Sequence, residues 1–196
     1  VSTTLIVPGL NGSGPDHWQS WWQALDQKAI RVVQQDWATP DLMQWSAQVA
    51  DQLQKATAPI WIVAHSFGCL AAVVAATRNP DAVAGAFLVA PADPQKFDVE
   101  PLIPANALPF PSLLVASSND PWLRLMTAAL WAQHWGSRLI NIGAAGHINV
   151  DSGFGPWVEG RMLFTTFVRS QLDWPYGDID GEMHRPDTKR DKPQFV

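Results

Sequence analysis

Cysteine occurs once in 196 residues, at Cys69. A single thiol excludes an internal disulfide framework and a cysteine-rich zinc site. Charge is scarce as well: charged side chains make up 16% of the chain, with Lys+Arg 13 against Asp+Glu 18 and a net charge of −5. A mildly acidic chain offers no electrostatic footprint for DNA or RNA, so no nucleic-acid partner is expected. No apolar run approaches the roughly 20 residues of a membrane helix, so no membrane partner is expected either. No basic n-region and apolar h-region stand ahead of the first strand-like segment. Val1 stands where an initiator Met would be, so a leader can be missing and the cytoplasm is only the default expectation.

What is present is apolar: 47% hydrophobic residues, including 11 Trp, together with 16 Pro. That content excludes wholesale disorder. The length suits one domain with a sizeable core and is too short for two. Thr3–Val7 is a run of β-formers broken by Pro8-Gly9-Leu10-Asn11-Gly12-Ser13-Gly14-Pro15. His17–Lys28 reads as a helix with Trp18, Trp21, Trp22 and Leu25 on one face. Residues 30–33 read as a strand. Thr39-Pro40-Asp41 opens a helix whose buried stripe is Leu42, Trp45, Val49 and Leu53.

Residues 59–64 and 83–90 are apolar without alternation, which suggests strands buried on both faces, as in a parallel sheet. Between them Ser66–Thr77 is Ala-rich and helical. Residues 91–111 hold six prolines and read as a loop. Strands follow over 112–117 and 138–142, helices over 122–135 and 157–172, and a glycine-rich loop over 143–156. This alternation predicts a three-layer α/β/α fold on a mostly parallel sheet of about six strands. Residues 1–174 form the expected domain, and the polar residues 175–196 a tail that is flexible, docked on a partner or simply solvated.

The chemistry concentrates at Val63-Ala64-His65-Ser66-Phe67-Gly68, where a buried strand meets a helix. A serine on such a turn is exposed above the sheet edge, and its crowded flanks demand small residues two before and two after, here Ala64 and Gly68. The Phe67 N–H at the helix start is placed for an oxyanion. Asp120, after the fifth strand, suits the carboxylate that orients a histidine. His147, in the glycine-rich loop, suits a general base. Each has an ordinary alternative: Ser66 and Asp120 as helix N-caps, His147 as an idle loop histidine. His17 starts the first helix, His65 precedes the serine and is expected to point away from its hydroxyl, His134 lies in a helix and His184 in the tail.

All three candidates lie just past strand carboxyl ends, where open α/β sheets bind ligands. Their order, Ser66, Asp120, His147, is that of α/β-hydrolases. The loop after the first strand supplies the second oxyanion donor, the N–H of Leu10 first and Asn11 next. Trp18, Trp122, Phe67, Phe154 and Trp157 are candidates for an apolar acyl pocket, with packing as the alternative for each. Cys69 reads either as a redox-sensitive thiol or as a small buried residue.

Val7-Pro8-Gly9 with Gly12 and His17-Trp18, then His65-Ser66-Phe67-Gly68, Ser118-Asn119-Asp120-Pro121, Gly146-His147 and Gly153-Phe154-Gly155-Pro156-Trp157 carry a resemblance. Across residues 3–172 the chain resembles the small serine hydrolases grouped with retinoblastoma-binding protein nine and the bacterial YdeN proteins. The resemblance implies a minimal α/β-hydrolase fold without a large lid, and Ser66, Asp120 and His147 as a triad. The Leu-x-Cys-x-Glu motif of the namesake is absent, so that protein partner is not implied here. The expected activity is cleavage of a small-molecule ester or related acyl substrate through an acyl-enzyme, with no cofactor and no metal. Two alternatives stand beside it: amidase, thioesterase or acyltransferase chemistry on the same triad, and a scaffold or interaction protein with little catalysis.

Overall fold

The apolar runs become the strands of a single sheet. A computed structural model describes residues 3–172; the expected tail lies outside the described residues. The strands are β1 (Thr4–Val7), β2 (Ile30–Arg31), β3 (Ile60–His65), β4 (Val83–Val89), β5 (Ser112–Ala116) and β6 (Arg138–Asn141). They stand in the order β2-β1-β3-β4-β5-β6, and every neighbouring pair is parallel. The helices are α1 (Trp18–Leu25), α2 (Leu42–Gln54), α3 (Phe67–Arg78), α4 (Leu125–Trp135) and α5 (Val158–Leu172).

Side chains alternate across a strand, and the two faces carry separate cores. Ile60, Ile62, Ala64, Ala86, Leu88 and Leu114 pack with α2, α3 and α4. Trp61, Val63, Phe87, Val89, Leu113 and Val115 pack with α1 and α5. The result is the three-layer α/β/α fold of α/β-hydrolases. Burial on both faces holds for β3 and β5, and for all of β4 except the half-buried Ala84. It fails for β6, which is an edge strand and largely exposed. The α3 helix is buried on nearly its whole circumference between the sheet and α2, which its Ala and Val side chains are small enough to allow.

The α1 stripe differs from the expectation. Trp18, Gln19 and Trp22 are buried, whereas Trp21 is 44% and Leu25 62% exposed. The inner face is claimed by a polar group. The Gln19 side-chain amide donates to the carbonyls of Val7 (3.2 Å) and Val63 (3.1 Å), tying the carboxyl ends of β1 and β3 together. Burying a glutamine is tolerable only with such partners.

Residues 91–111 fold back as two short 3-10 turns, and Val99, Ile103, Leu108 and Phe110 join the core beneath α2–α4. They add a thin cover rather than a lid domain. Among the described residues no helix is long and apolar enough to cross a membrane.

Candidate active site

The strand-to-helix turn after β3 is strained at Ser66, whose φ is 55° and ψ −130°. A left-handed φ is costly for any residue with a Cβ and persists only where the surroundings enforce it. Close approach does so here. A Cβ on Gly68 would lie 2.3 Å from the Pro8 carbonyl oxygen and 2.6 Å from that of Val7. A Cβ on Gly9 would lie 2.7 Å from the Ser66 Cβ. The β1 loop therefore presses on the turn at two glycines. The Ser66 side chain makes no capping hydrogen bond, so it is not acting as an N-cap.

Its Oγ instead lies 2.8 Å from His147 Nε2. On the other side of the ring, His147 Nδ1 is 2.9 Å from Asp120 Oδ2 and 3.0 Å from Oδ1. A carboxylate can only accept, so Nδ1 carries the proton and the bare Nε2 faces the serine hydroxyl. Asp120 Oδ1 also accepts the Trp122 N–H at 2.8 Å. The cap and the histidine partner are thus one residue, and the two sequence readings of Asp120 were not exclusive.

The loop carrying His147 is held by side chains. Asn119 Oδ1 accepts the Gly146 N–H (2.7 Å), and Ser117 Oγ accepts that of Ala145 (3.0 Å) while donating to Asn119 (2.8 Å). Ser152 Oγ accepts the His147 N–H at 3.1 Å. His65 Nε2 donates to the His147 carbonyl at 2.9 Å, and Trp18 Nε1 donates to the Ile148 carbonyl at 2.9 Å. His65 differs from its expectation: the turn at Ser66 ends the regular pleat, and both residues line the same cavity. Burial, then the neighbouring His147 and His17, keep its ring neutral well below the usual histidine range.

That cavity has a volume of about 400 Å³, and Leu10, Asn11, Ser66, Phe97, Trp122 and His147 are among its lining residues. Several sequence expectations need correction here. The Asn11 N–H donates to the Trp37 carbonyl at 2.9 Å, so it is not open to an oxyanion. Trp18 is fully buried and belongs to the α1/α5 core with Trp157, against which it packs at 5.2 Å. Phe154 packs edge-on against Trp157 at 5.6 Å, in that same core. The Phe67 ring is buried between Trp45 and Phe97. These four rings pack in or against the two cores, and none of them is among the residues that line the cavity.

Trp122 does line the cavity, 46% exposed and stacked on Phe97 at 6.4 Å. Phe97, His17 and His65 were missed as lining residues. Phe97 and His17 carry no local signal, because the loops that bring them to Ser66 are remote in sequence, whereas His65 adjoins Ser66 and would face away from it in a regular strand. Cys69 is buried, and burial pushes its thiol pKa up, as a small packing residue requires. Among the described residues no group of three or more His, Cys, Asp or Glu side chains has the arrangement to hold a metal ion.

Residues 4–166 match the model of the serine hydrolase family. The chain belongs to that family. A YdeN-like hydrolase from Pectobacterium atrosepticum SCRI1043 is 39% identical to this serine hydrolase, with a TM-score of 0.83 over 86% of this chain and 91% of that one. The ydeN gene product of B. subtilis superposes with a TM-score of 0.74 at 19% identity, over 86% of this chain and 100% of that one. Est1E from Butyrivibrio proteoclasticus, solved with ferulic acid bound, gives 0.64 at 15% identity, over 88% of each chain. The latter two likenesses concern the fold alone. No curated protein matches this serine hydrolase.

Proposed function

We propose that this serine hydrolase cleaves small carboxylic esters through a Ser66–His147–Asp120 triad and an acyl-enzyme. The observation that carries the reading is the 2.8 Å approach of His147 Nε2 to Ser66 Oγ, with Asp120 on the far nitrogen of the same ring. In the first step Ser66 Oγ bonds to the acyl carbon and its proton passes to His147 Nε2. The carbonyl electron pair moves onto oxygen. Asp120 keeps Nδ1 protonated and stabilises the imidazolium. The Phe67 and Leu10 N–H groups receive the oxyanion, each worth about 3–4 kcal/mol of barrier by analogy with such donors elsewhere. The tetrahedral adduct collapses, the carbon–oxygen bond to the alcohol breaks, and His147 returns the proton to the departing alkoxide. Water then repeats the sequence on the acyl-enzyme, releasing the acid and free Ser66.

The size of the substrate follows from the cavity. A site of about 400 Å³ walled by Phe97 and Trp122, with no lid domain over it among the described residues, suits a short acyl chain rather than a micellar lipid.

Fluorophosphonate labelling read by intact mass tests the nucleophile. The native protein is expected to gain one adduct and Ser66→Ala none, with turnover of short aryl esters falling at least about a thousandfold in the variant. Retained ester turnover in a folded Ser66→Ala protein would overturn the assignment.

A further inference from the structure

His17 stands beside the triad without belonging to it. It is the N-cap of α1, and its Nδ1 accepts the Gln19 N–H at 3.2 Å. A ring whose Nδ1 accepts and which stays neutral must carry its one proton on Nε2. Burial, then Arg31 and His147, lower its pKa to about 4, so the ring is neutral at neutral pH. The Nε2–H has no partner among the described residues. It is not sealed in either, because Gln34 Oε1 is the one buried side-chain nitrogen or oxygen left unpaired among them. His17 lines the cavity that holds Ser66. Its ring lies 4.9 Å from that of His65, which lies 5.0 Å from that of His147. A neutral donor with its other nitrogen fixed by a helix cap is therefore left unpaired and accessible on a residue that lines the cavity of Ser66.

We propose that His17 is a substrate-binding residue whose Nε2–H donates to an uncharged oxygen a few bonds from the reacting carbonyl, so that the site prefers oxygenated esters to their alkyl counterparts. The acceptor is uncharged because Asp151 lines the cavity while no Lys or Arg does so among the described residues. A carboxylate or phosphate on the substrate would meet a like charge with no lining cation to offset it, since the nearby Arg31 is held by Gln23, Ser13 and Ser20, and Lys96 by the Pro121 carbonyl and the Trp122 ring. The proposal rests on the ester-hydrolase reading.

Two isosteric pairs test it: 4-nitrophenyl methoxyacetate against 4-nitrophenyl butyrate, and the 2-methoxyethyl against the butyl ester of one short acid. Each pair exchanges one methylene for oxygen, on the acyl and the alcohol side respectively. The ratio of kcat/KM within a pair, compared between enzymes, cancels the intrinsic reactivity of the esters. His17→Asn keeps a good capping acceptor but its amide stops short of the Nε2 position; His17→Phe removes both. In at least one pair, both variants are expected to lower the preference for the ether about threefold to tenfold, the worth of one hydrogen bond.

Ratios unchanged in both pairs overturn the proposal, as does a loss in His17→Phe with none in His17→Asn, which would mark the cap alone. Native protein that turns over none of the esters overturns this proposal and the ester reading together. Turnover with unmoved ratios overturns only this one. If both variants unfold, the His17 Nε2–H proton resonance of the native protein is read after labelling with a methoxymethyl or a propyl phosphonate. The ether alone is expected to shift it, and equal spectra overturn the proposal.

Discussion

The serine and the histidine of this site are held in different ways. Ser66 is fixed by backbone shape: a left-handed turn, with Gly68 and Gly9 admitting the β1 loop to within contact distance. His147 is fixed by side-chain hydrogen bonds to its loop: Ser117, Asn119 and Ser152 accept backbone N–H groups, and His65 donates to the His147 carbonyl. Excluded volume is unforgiving and local, so the support of Ser66 is all-or-none. A hydrogen-bonded loop is supported by many modest terms, each removable with the rest in place. Errors at the elbow are thus expected to reach the whole fold, and errors around the histidine mainly the chemistry.

The largest effect comes from breaking the elbow. Gly68→Ala puts a methyl group against the Pro8 and Val7 carbonyls, two backbone groups that cannot rotate away. A loss of about 3 kcal/mol in unfolding free energy is expected, with fluorophosphonate labelling abolished. Native-like denaturation midpoints and labelling in this variant would show that the turn tolerates a Cβ.

Acid acts on the histidine side. His17 titrates at about 4 in the fold against 6.5 when unperturbed. Between those values the unfolded chain binds a proton that the folded chain refuses, so stability rises with pH through this window and is complete above it. Acidification from pH 7 to 4 is expected to cost up to about 3 kcal/mol through this ring, and the buried His65 acts in the same direction. Urea denaturation at both pH values measures it. His17→Asn should lose less than the native protein on acidification, and parallel losses would contradict the buried neutral ring.

The smallest effect sharpens the contrast. Asn119→Ala removes the acceptor of the Gly146 N–H and one partner of Ser117. A cost of about 1–2 kcal/mol is expected, with the fold intact. Steady-state kinetics should show kcat falling several-fold while KM holds, since the loop positions His147, the proposed base, rather than the substrate. A change confined to KM would assign Asn119 to binding instead.

The same contrast explains what could be read from the chain. Ala64 and Gly68 around Ser66 mark the elbow because tight turns impose their demands on adjacent residues. The apolar runs of β3 and β4 mark buried parallel strands for a similar reason. Nothing near His65 marks it as a support for His147, 82 residues away. Its neighbour in a regular strand would face the opposite side, and only the turn at Ser66 changes that. The α1 stripe was misread because hydrophobic periodicity gives no weight to Gln19, which the ends of β1 and β3 draw inward. The tryptophans were the least readable. A ring such as Trp18 suits a cavity wall and a core equally well, and what lies behind it decides.

By itself the sequence determined the order of strands and helices, the three-layer class, and the loops on which Ser66, Asp120 and His147 sit. Those features depend on interactions between near neighbours: periodicity, turn sterics and helix starts. The tertiary structure alone decided that these three side chains meet, that the Asn11 N–H is taken by the Trp37 carbonyl, and that Phe97, Trp122 and His17 line the space above them. Those outcomes depend on how loops from five parts of the chain converge at one edge of a twisted sheet, a distance that no local pattern spans.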